Sequence, residues 1–176
     1  MDITRNYFEI LGLPVSFDID QAQLTERYRD LQKQVHPDRH SHQSDREQRL
    51  AVQYTAYLNE ALTTLKSPLK RAQYLLSLQG IDTLSDSRTQ LDPMFLMEQM
   101  ELRERVADAT DHDDPGAELE QLEALVGAEL KQLQSAFVKA WEGQQLAQAE
   151  VLVRKMQFAS KLQSDIEALE DRLFDD

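Results

Sequence analysis

The chain has 176 residues, no cysteine, only five glycines and a formal net charge of −13. Without thiols it forms no disulfide and holds no thiolate-ligated metal or cluster, and glycines scattered at positions 12, 80, 116, 127 and 143 exclude a phosphate-cradling loop. Residues 1–90 carry 11 basic and 12 acidic side chains against 8 and 20 in residues 91–176, so the second half repels nucleic-acid phosphates and anionic membrane surfaces. No apolar run approaches the ~20 residues of a membrane span, and Met1-Asp2-Ile3-Thr4 does not open a signal peptide. A reducing, cytoplasmic setting is the expectation.

A short helix is predicted over residues 5–12, stopped by Gly12-Leu13-Pro14. Asp18 or Asp20 can cap the next helix, in which Leu24, Tyr28, Leu31 and Val35 recur at spacings of four, three and four. Leu50, Tyr54, Leu58, Ala61 and Leu65 repeat that pattern in a helix from Ser44 or Asp45 to the residue before Ser67-Pro68. Both patterns have the 3.6-residue period of helices that bury one face, and the short polar connection between them favours an antiparallel hairpin. At its tip stands Val35-His36-Pro37-Asp38-Arg39. Pro37 has a fixed φ and no N–H, and it pushes His36 out of helical geometry, so the first helix of the pair ends at Val35 or His36. Pro68 suits the first turn of a fourth helix over residues 68–79, with Leu69, Ala72, Leu75, Leu76 and Leu78 apolar and Gly80 as its C-terminal left-handed residue.

Several chemistries are compatible with the tip. A His36–Asp38 pair acting as base and orienter needs a nucleophile or substrate nearby; Ser41 and Ser44 are close in sequence, but no glycine offers an oxyanion turn. His36, His40 and His42 cluster, at a spacing foreign to structural zinc sites. A docking tip offers a carboxylate suited to an arginine fork on a partner. A solvated polar loop is the plain alternative. On the exposed side of the preceding helix lie Arg29 and Lys33, with Arg27 flanking the buried stripe and Glu26 and Asp30 interrupting the basic face. That mixture is also what an ordinary solvent face looks like.

Residues 80–91, without helical period, read as a linker between a first domain over residues 1–79 and a second over residues 92–176. Asp92-Pro93 starts a helix that ends before the polar turn at residues 110–116. The next carries Leu119, Leu122, Val126, Leu130, Leu133, Phe137 and Trp141 and breaks at Gly143; the last carries Ala149, Leu152, Met156, Ala159, Gln163, Ile166, Leu169 and Leu173. Gln163 interrupts that last stripe, where the neighbouring Leu162 can supply packing. Short turns join the three into an antiparallel three-helix bundle.

The helix beginning at Pro93 has more apolar residues than one buried stripe requires. At 100° per residue, Gln99, Leu102 and Val106 fall within 40° of Phe95, the core face. Leu96, Met97 and Met100 fall at 100–200° and share that side with Glu101, Glu104 and Asp108. These three apolar residues are either interdomain core or an exposed patch for a partner. Phe158 points off the seam of the last helix and is placed to extend the same patch.

The order of the first seventy or so residues resembles a J-domain: Tyr7-Phe8-Glu9-Ile10-Leu11-Gly12-Leu13, a helix with basic residues, His36-Pro37-Asp38, then Leu58-Asn59-Glu60-Ala61 and Ser67-Pro68-Leu69-Lys70-Arg71-Ala72. The resemblance implies a co-chaperone that stimulates ATP hydrolysis by a chaperone of the seventy-kilodalton heat-shock class, engaged through His36, Pro37, Asp38, Arg27, Arg29, Lys33 and Arg39. With Phe95-Leu96-Met97-Glu98-Gln99-Met100-Glu101-Leu102-Arg103-Glu104 and an acidic helical C-terminus, essentially the whole chain is similar to the iron–sulfur cluster co-chaperone HscB family. That implies an all-α, L-shaped, two-domain adaptor: a J-domain helical hairpin for an HscA-like chaperone and a three-helix bundle that holds an IscU-like cluster scaffold. By position, the scaffold-binding face is carried over onto Leu96, Met97, Met100, Glu101, Glu104, Asp108 and Phe158. The expected protein is a monomer with no catalytic activity, cofactor or metal and no nucleic-acid or membrane partner. A J-domain co-chaperone for another client is the alternative.

Overall fold

A computed structural model of the chain describes residues 2–40, 42–85 and 91–175, with the backbone alone for Pro37 and His40. All regular structure among them is helical: α1 (Tyr7–Ile10), α2 (Gln21–Val35), α3 (Asp45–Lys66), α4 (Pro68–Leu78), α5 (Pro93–Asp108), α6 (Pro115–Glu142) and α7 (Leu146–Asp175), with 3₁₀ turns at Pro37–His40 and Ala109–Asp111. The chain divides into two compact units, Met1–Leu75 and Leu76–Asp176.

In the first unit, α1 is one turn, shorter than predicted. Asn6 caps it, accepting from Glu9 N, while the Glu9 carboxylate accepts from Asn6 N, so two orphan donors are satisfied reciprocally. Gly12 then takes φ +63°, a left-handed conformation natural to glycine. Asp20, not Asp18, caps α2, accepting from Gln23 N. A second capping box, Ser44 with Glu47, opens α3. Between α1, α2 and α3 lie Phe8, Leu11, Leu24, Leu58, Ala61 and Leu65, all fully buried. The predicted stripe of α3 is off by one position at its start: Leu50 is 45% exposed and Ala51 is buried. Phasing back from Tyr54, the i−3 position is residue 51, so the smaller side chain takes the core face. Tyr28 donates to Asn59 Oδ1 across the hairpin. Arg71 is buried with its guanidinium 4.6 Å from the Phe17 ring centroid, and its Nη1 donates to Leu65 O at 2.7 Å, satisfying a carbonyl at the C-terminal end of α3.

In the second unit, α6 and α7 form a long antiparallel pair around Leu119, Leu122, Val126, Phe137, Ala149, Val153, Met156, Ala159 and Ile166. Leu162 is buried beside the half-buried Gln163, supplying the packing that Gln163 does not. Leu173, the last residue of the predicted stripe, is exposed. Asp92 and Asp114 cap α5 and α6, each followed by proline at the first helical position. The first turn of α6 therefore begins at Pro115, inside the stretch predicted as turn.

The unit boundary lies at Leu75/Leu76, within α4, rather than at residues 79/80. The last turn of α4 is tied forward: Leu76 O accepts from Gln79 N and Ile81 N. The segment beyond it, predicted as a linker, is fastened to α7. Arg154 donates to Ser85 O and Asp82 O, Gln157 donates to Thr83 O at 2.8 Å, and the Asp82 carboxylate accepts from Leu84 N. Thr83 is buried. The rest of the predicted linker, residues 86–90, lies outside the described residues.

Candidate functional site

Two surfaces concentrate the predicted site residues, one in each unit. The first is the tip of the α2–α3 hairpin. Helix α2 ends at Val35, and His36 has φ −56° and ψ 133°, extended geometry that the following proline enforces. The chain then makes a 3₁₀ turn closed by Arg39 N donating to His36 O at 3.0 Å. His36 Nδ1 accepts from Asp38 N at 3.3 Å and lies 3.6 Å from Asp38 Oδ2. The imidazole is half exposed and the Asp38 carboxylate 93% exposed. An imidazole is thus held beside a solvated carboxylate that is open to an incoming donor. The Pro37 ring, the His40 side chain and Ser41 lie outside the described residues, so the predicted contribution of the proline is seen in the backbone alone. Among the described residues, no group of three or more His, Asp or Glu is placed to hold a metal ion.

Beside the tip, Arg29 and Lys33 share a shallow depression on α2 with Ala22, Thr25, Glu26 and Asp30. All four charged side chains are exposed, so the face is basic but self-compensated. Arg27 is separated from it: its guanidinium lies over Gly12, where a Cβ would stand 2.1 Å from Nη1. Arg39 is exposed beyond the tip. Two residues not singled out from the sequence hold this end of the hairpin: Tyr28 through Asn59, and Thr55, whose hydroxyl lies 2.8 Å from Ala51 O and 3.4 Å from Val35 O. Their types carry no signal of their partners, because the pairing joins separate helices.

The second surface is on α5. Leu96, Met97 and Met100 are 37%, 62% and 62% exposed, and Glu101, Glu104 and Asp108 are exposed beside them. Phe95, Gln99 and Val106 are buried and Leu102 half-buried, as the helical phase predicts. The three apolar residues therefore form a surface patch. Phe158 stands apart from them: it is half-buried and packs edge-to-face on Phe95 with centroids 6.0 Å apart. It supports the helix from beneath as much as it extends the patch.

Polar contacts line the underside of α5. Lys155 reaches Asp92 at 3.0 Å and sits 5.1 Å from the Phe95 centroid. The hydrogen bond from Lys155, and then that from Phe95 N, hold the Asp92 carboxyl below the usual aspartate range. Gln99 donates to Glu129 at 2.8 Å, and burial pushes the Glu129 carboxyl above the usual glutamate range against that hydrogen bond. Arg105 donates through Nε and Nη2 to Glu118. The sequence signals only Gln99, a polar residue at a core phase; its partner on α6 is not readable from spacing.

The helical hairpin, with a His-Pro-Asp tip between a helix bearing basic residues and a second amphipathic helix, defines a J-domain protein. Residues 6–74 match the DnaJ domain and residues 91–167 the HSCB C-terminal oligomerisation domain. The chain is 45% identical over 172 residues to the co-chaperone protein HscB homolog of Shewanella loihica, with 96% of this chain and 99% of the relative covered. Against the Vibrio atlanticus homolog it is likewise 45% identical, covering 96% and 98%. Among solved structures, chaperone HscB from Vibrio cholerae aligns with a TM-score of 0.86 at 41% identity over 96% of this chain and 99% of that one. The human co-chaperone protein HscB aligns at 0.88 and 32% over 97% and 84%. The chain belongs to the HscB co-chaperone family.

Proposed function

We propose that this protein is a co-chaperone of iron–sulfur cluster assembly that performs no chemistry of its own and acts in the cytoplasm as a monomer. In this reading His36, Pro37 and Asp38, with Arg39 and the Arg29–Lys33 face, engage an HscA-like chaperone of the seventy-kilodalton class and stimulate its ATPase. The α5 face of Leu96, Met97 and Met100, rimmed by Glu101, Glu104 and Asp108 and continued by Phe158, binds an IscU-like scaffold and presents it to that chaperone.

The observation that carries the reading is the pairing, in one chain, of an exposed His-Asp tip with a second unit whose α5 exposes an apolar patch that its own core leaves uncovered. Covering such a patch supplies affinity, while carboxylates at its edge set orientation and association rate. Asp38, almost fully solvated, is free to accept from a guanidinium fork. Arg27, turned over Gly12, contributes less to the chaperone contact than Arg29 and Lys33. Sedimentation velocity on full-length protein with purified scaffold and ATP-bound chaperone tests the adaptor role. The expected result is a ternary species larger than either binary complex. Scaffold and chaperone that compete for this chain would contradict it.

A further inference from the structure

Helix α5 is the least firmly anchored helix of its unit. It buries Phe95, Gln99 and Val106, whereas α6 buries six residues and α7 seven, all of them apolar. Its apolar pattern is also ambiguous. Phe95 and Val106 mark one face; Leu96, Met97 and Met100 mark another, 100–200° away. A rotated α5 that buried Leu96 and Met97 in place of Phe95 and Val106 would lose little hydrophobic burial, because that driving force is non-directional. Apolar patterning alone thus leaves the angle of the docking face unspecified.

A polar contact removes the ambiguity. Gln99 lies midway along α5, is only 5% exposed, and donates from Nε2 to Glu129 on α6 at 2.8 Å, while its buried Oε1 has no hydrogen-bond partner. For stability alone this is a poor arrangement, since a buried polar atom without a partner costs free energy that an apolar side chain would not. What it supplies is direction: any rotation of α5 that breaks the bond buries the amide wholly unpaired. The charged groups electrostatically coupled to Glu129 are Glu98 of α5 and Lys155 of α7, and Lys155 is itself bonded to Asp92.

We propose that Gln99 and Glu129 are positioning residues for the docking face, a polar key that fixes the rotation of α5 so that Leu96, Met97 and Met100 face outward together. The inference rests on the α5 docking reading. It makes the key dispensable for folding and necessary for recognition.

The test replaces the pair in full-length protein by Gln99→Leu with Glu129→Leu and compares it with Glu129→Gln, which retains an acceptor for the Gln99 amide. Methyl-¹³C methionine spectra report the angle of α5 through Met97 and Met100 without any partner. Calorimetric titration of purified apo-scaffold reports recognition. The leucine pair is expected to melt no earlier than wild type, to show broadened or doubled Met97 and Met100 resonances, and to bind scaffold roughly tenfold more weakly. Glu129→Gln is expected to give single resonances and near wild-type affinity. Single, unshifted methionine resonances together with wild-type affinity in the leucine pair overturn the key. A Met97→Ala/Met100→Ala reference in the same titration separates the two claims: undiminished binding there sinks the docking reading, while the methionine spectra still judge the key.

Discussion

Leu96, Met97 and Met100 can be truncated together without touching the core, and this sets apart the two roles the α5 region plays. Their exposed fractions of 37%, 62% and 62% leave roughly 300 Å² of mostly apolar surface, worth at most roughly 7 kcal/mol when covered, at about 25 cal/mol per Å². A partner covers part of it and alanine keeps a methyl group, so about half, roughly 3–4 kcal/mol, is at stake, a loss of some 100- to 1,000-fold in affinity. The effect on folding is small, since substitutions on exposed surface stay within about ±0.5 kcal/mol each. Phe158→Ala behaves differently: the side chain is half-buried on Phe95, so its removal costs roughly 2 kcal/mol of stability as well as affinity. The assay is calorimetric binding of scaffold beside a melting curve for each variant. A triple variant that binds like wild type, or one that melts as early as Phe158→Ala, would refute the reasoning.

Reversing Arg29 and Lys33 to glutamate should weaken engagement of the chaperone at low salt and matter less as ionic strength rises, because attraction between exposed charges is screened over about 8–10 Å; ATPase stimulation titrated against salt checks it. Replacing Arg71 by methionine removes its donation to Leu65 O and its contact with Phe17 and should cost about 2 kcal/mol in urea denaturation, the charged hydrogen bond outweighing the relief of desolvation. Burial raises the Glu129 carboxyl in the folded protein, so folding favours its protonated form. The stability of wild type relative to Glu129→Gln should therefore rise as pH falls from neutral through that raised value toward the ordinary glutamate range and level off below it. Denaturation midpoints measured between pH 4.5 and 7.5 provide the check, a pH-independent difference being the contrary result.

Most of the helical frame was legible because caps and period agree. Asp92-Pro93 and Ser44 mark starts that the structure reproduces, and the α6 stripe from Leu119 to Phe137 is buried as spaced, with Leu133 half-buried. The α5 phase correctly separated Phe95 and Val106 from Leu96, Met97 and Met100. What escaped depends on contacts between distant residues. Residues 81–85 lack helical period and so read as linker, yet Arg154 and Gln157, about seventy residues later, fasten them to α7. Leu50 and Ala51 are adjacent apolar residues, and period alone did not decide which faced inward. Phe158 was placed off the seam correctly, but its packing on Phe95 needed the crossing of α5 and α7 to be known. Arg27 sat on the helical wheel beside the basic face, and only the left-handed turn at Gly12 shows where its guanidinium goes.

The central claim is that the His-Pro-Asp tip activates a partner's ATPase. Single-turnover ATP hydrolysis by the purified HscA-like chaperone, measured with wild-type protein and with Asp38→Asn, tests it most directly. The solvated Asp38 carboxylate makes no contact with the core, so the variant should keep the wild-type melting temperature and lose the acceleration. Acceleration by Asp38→Asn equal to wild type, or none by the wild type itself, would contradict the account.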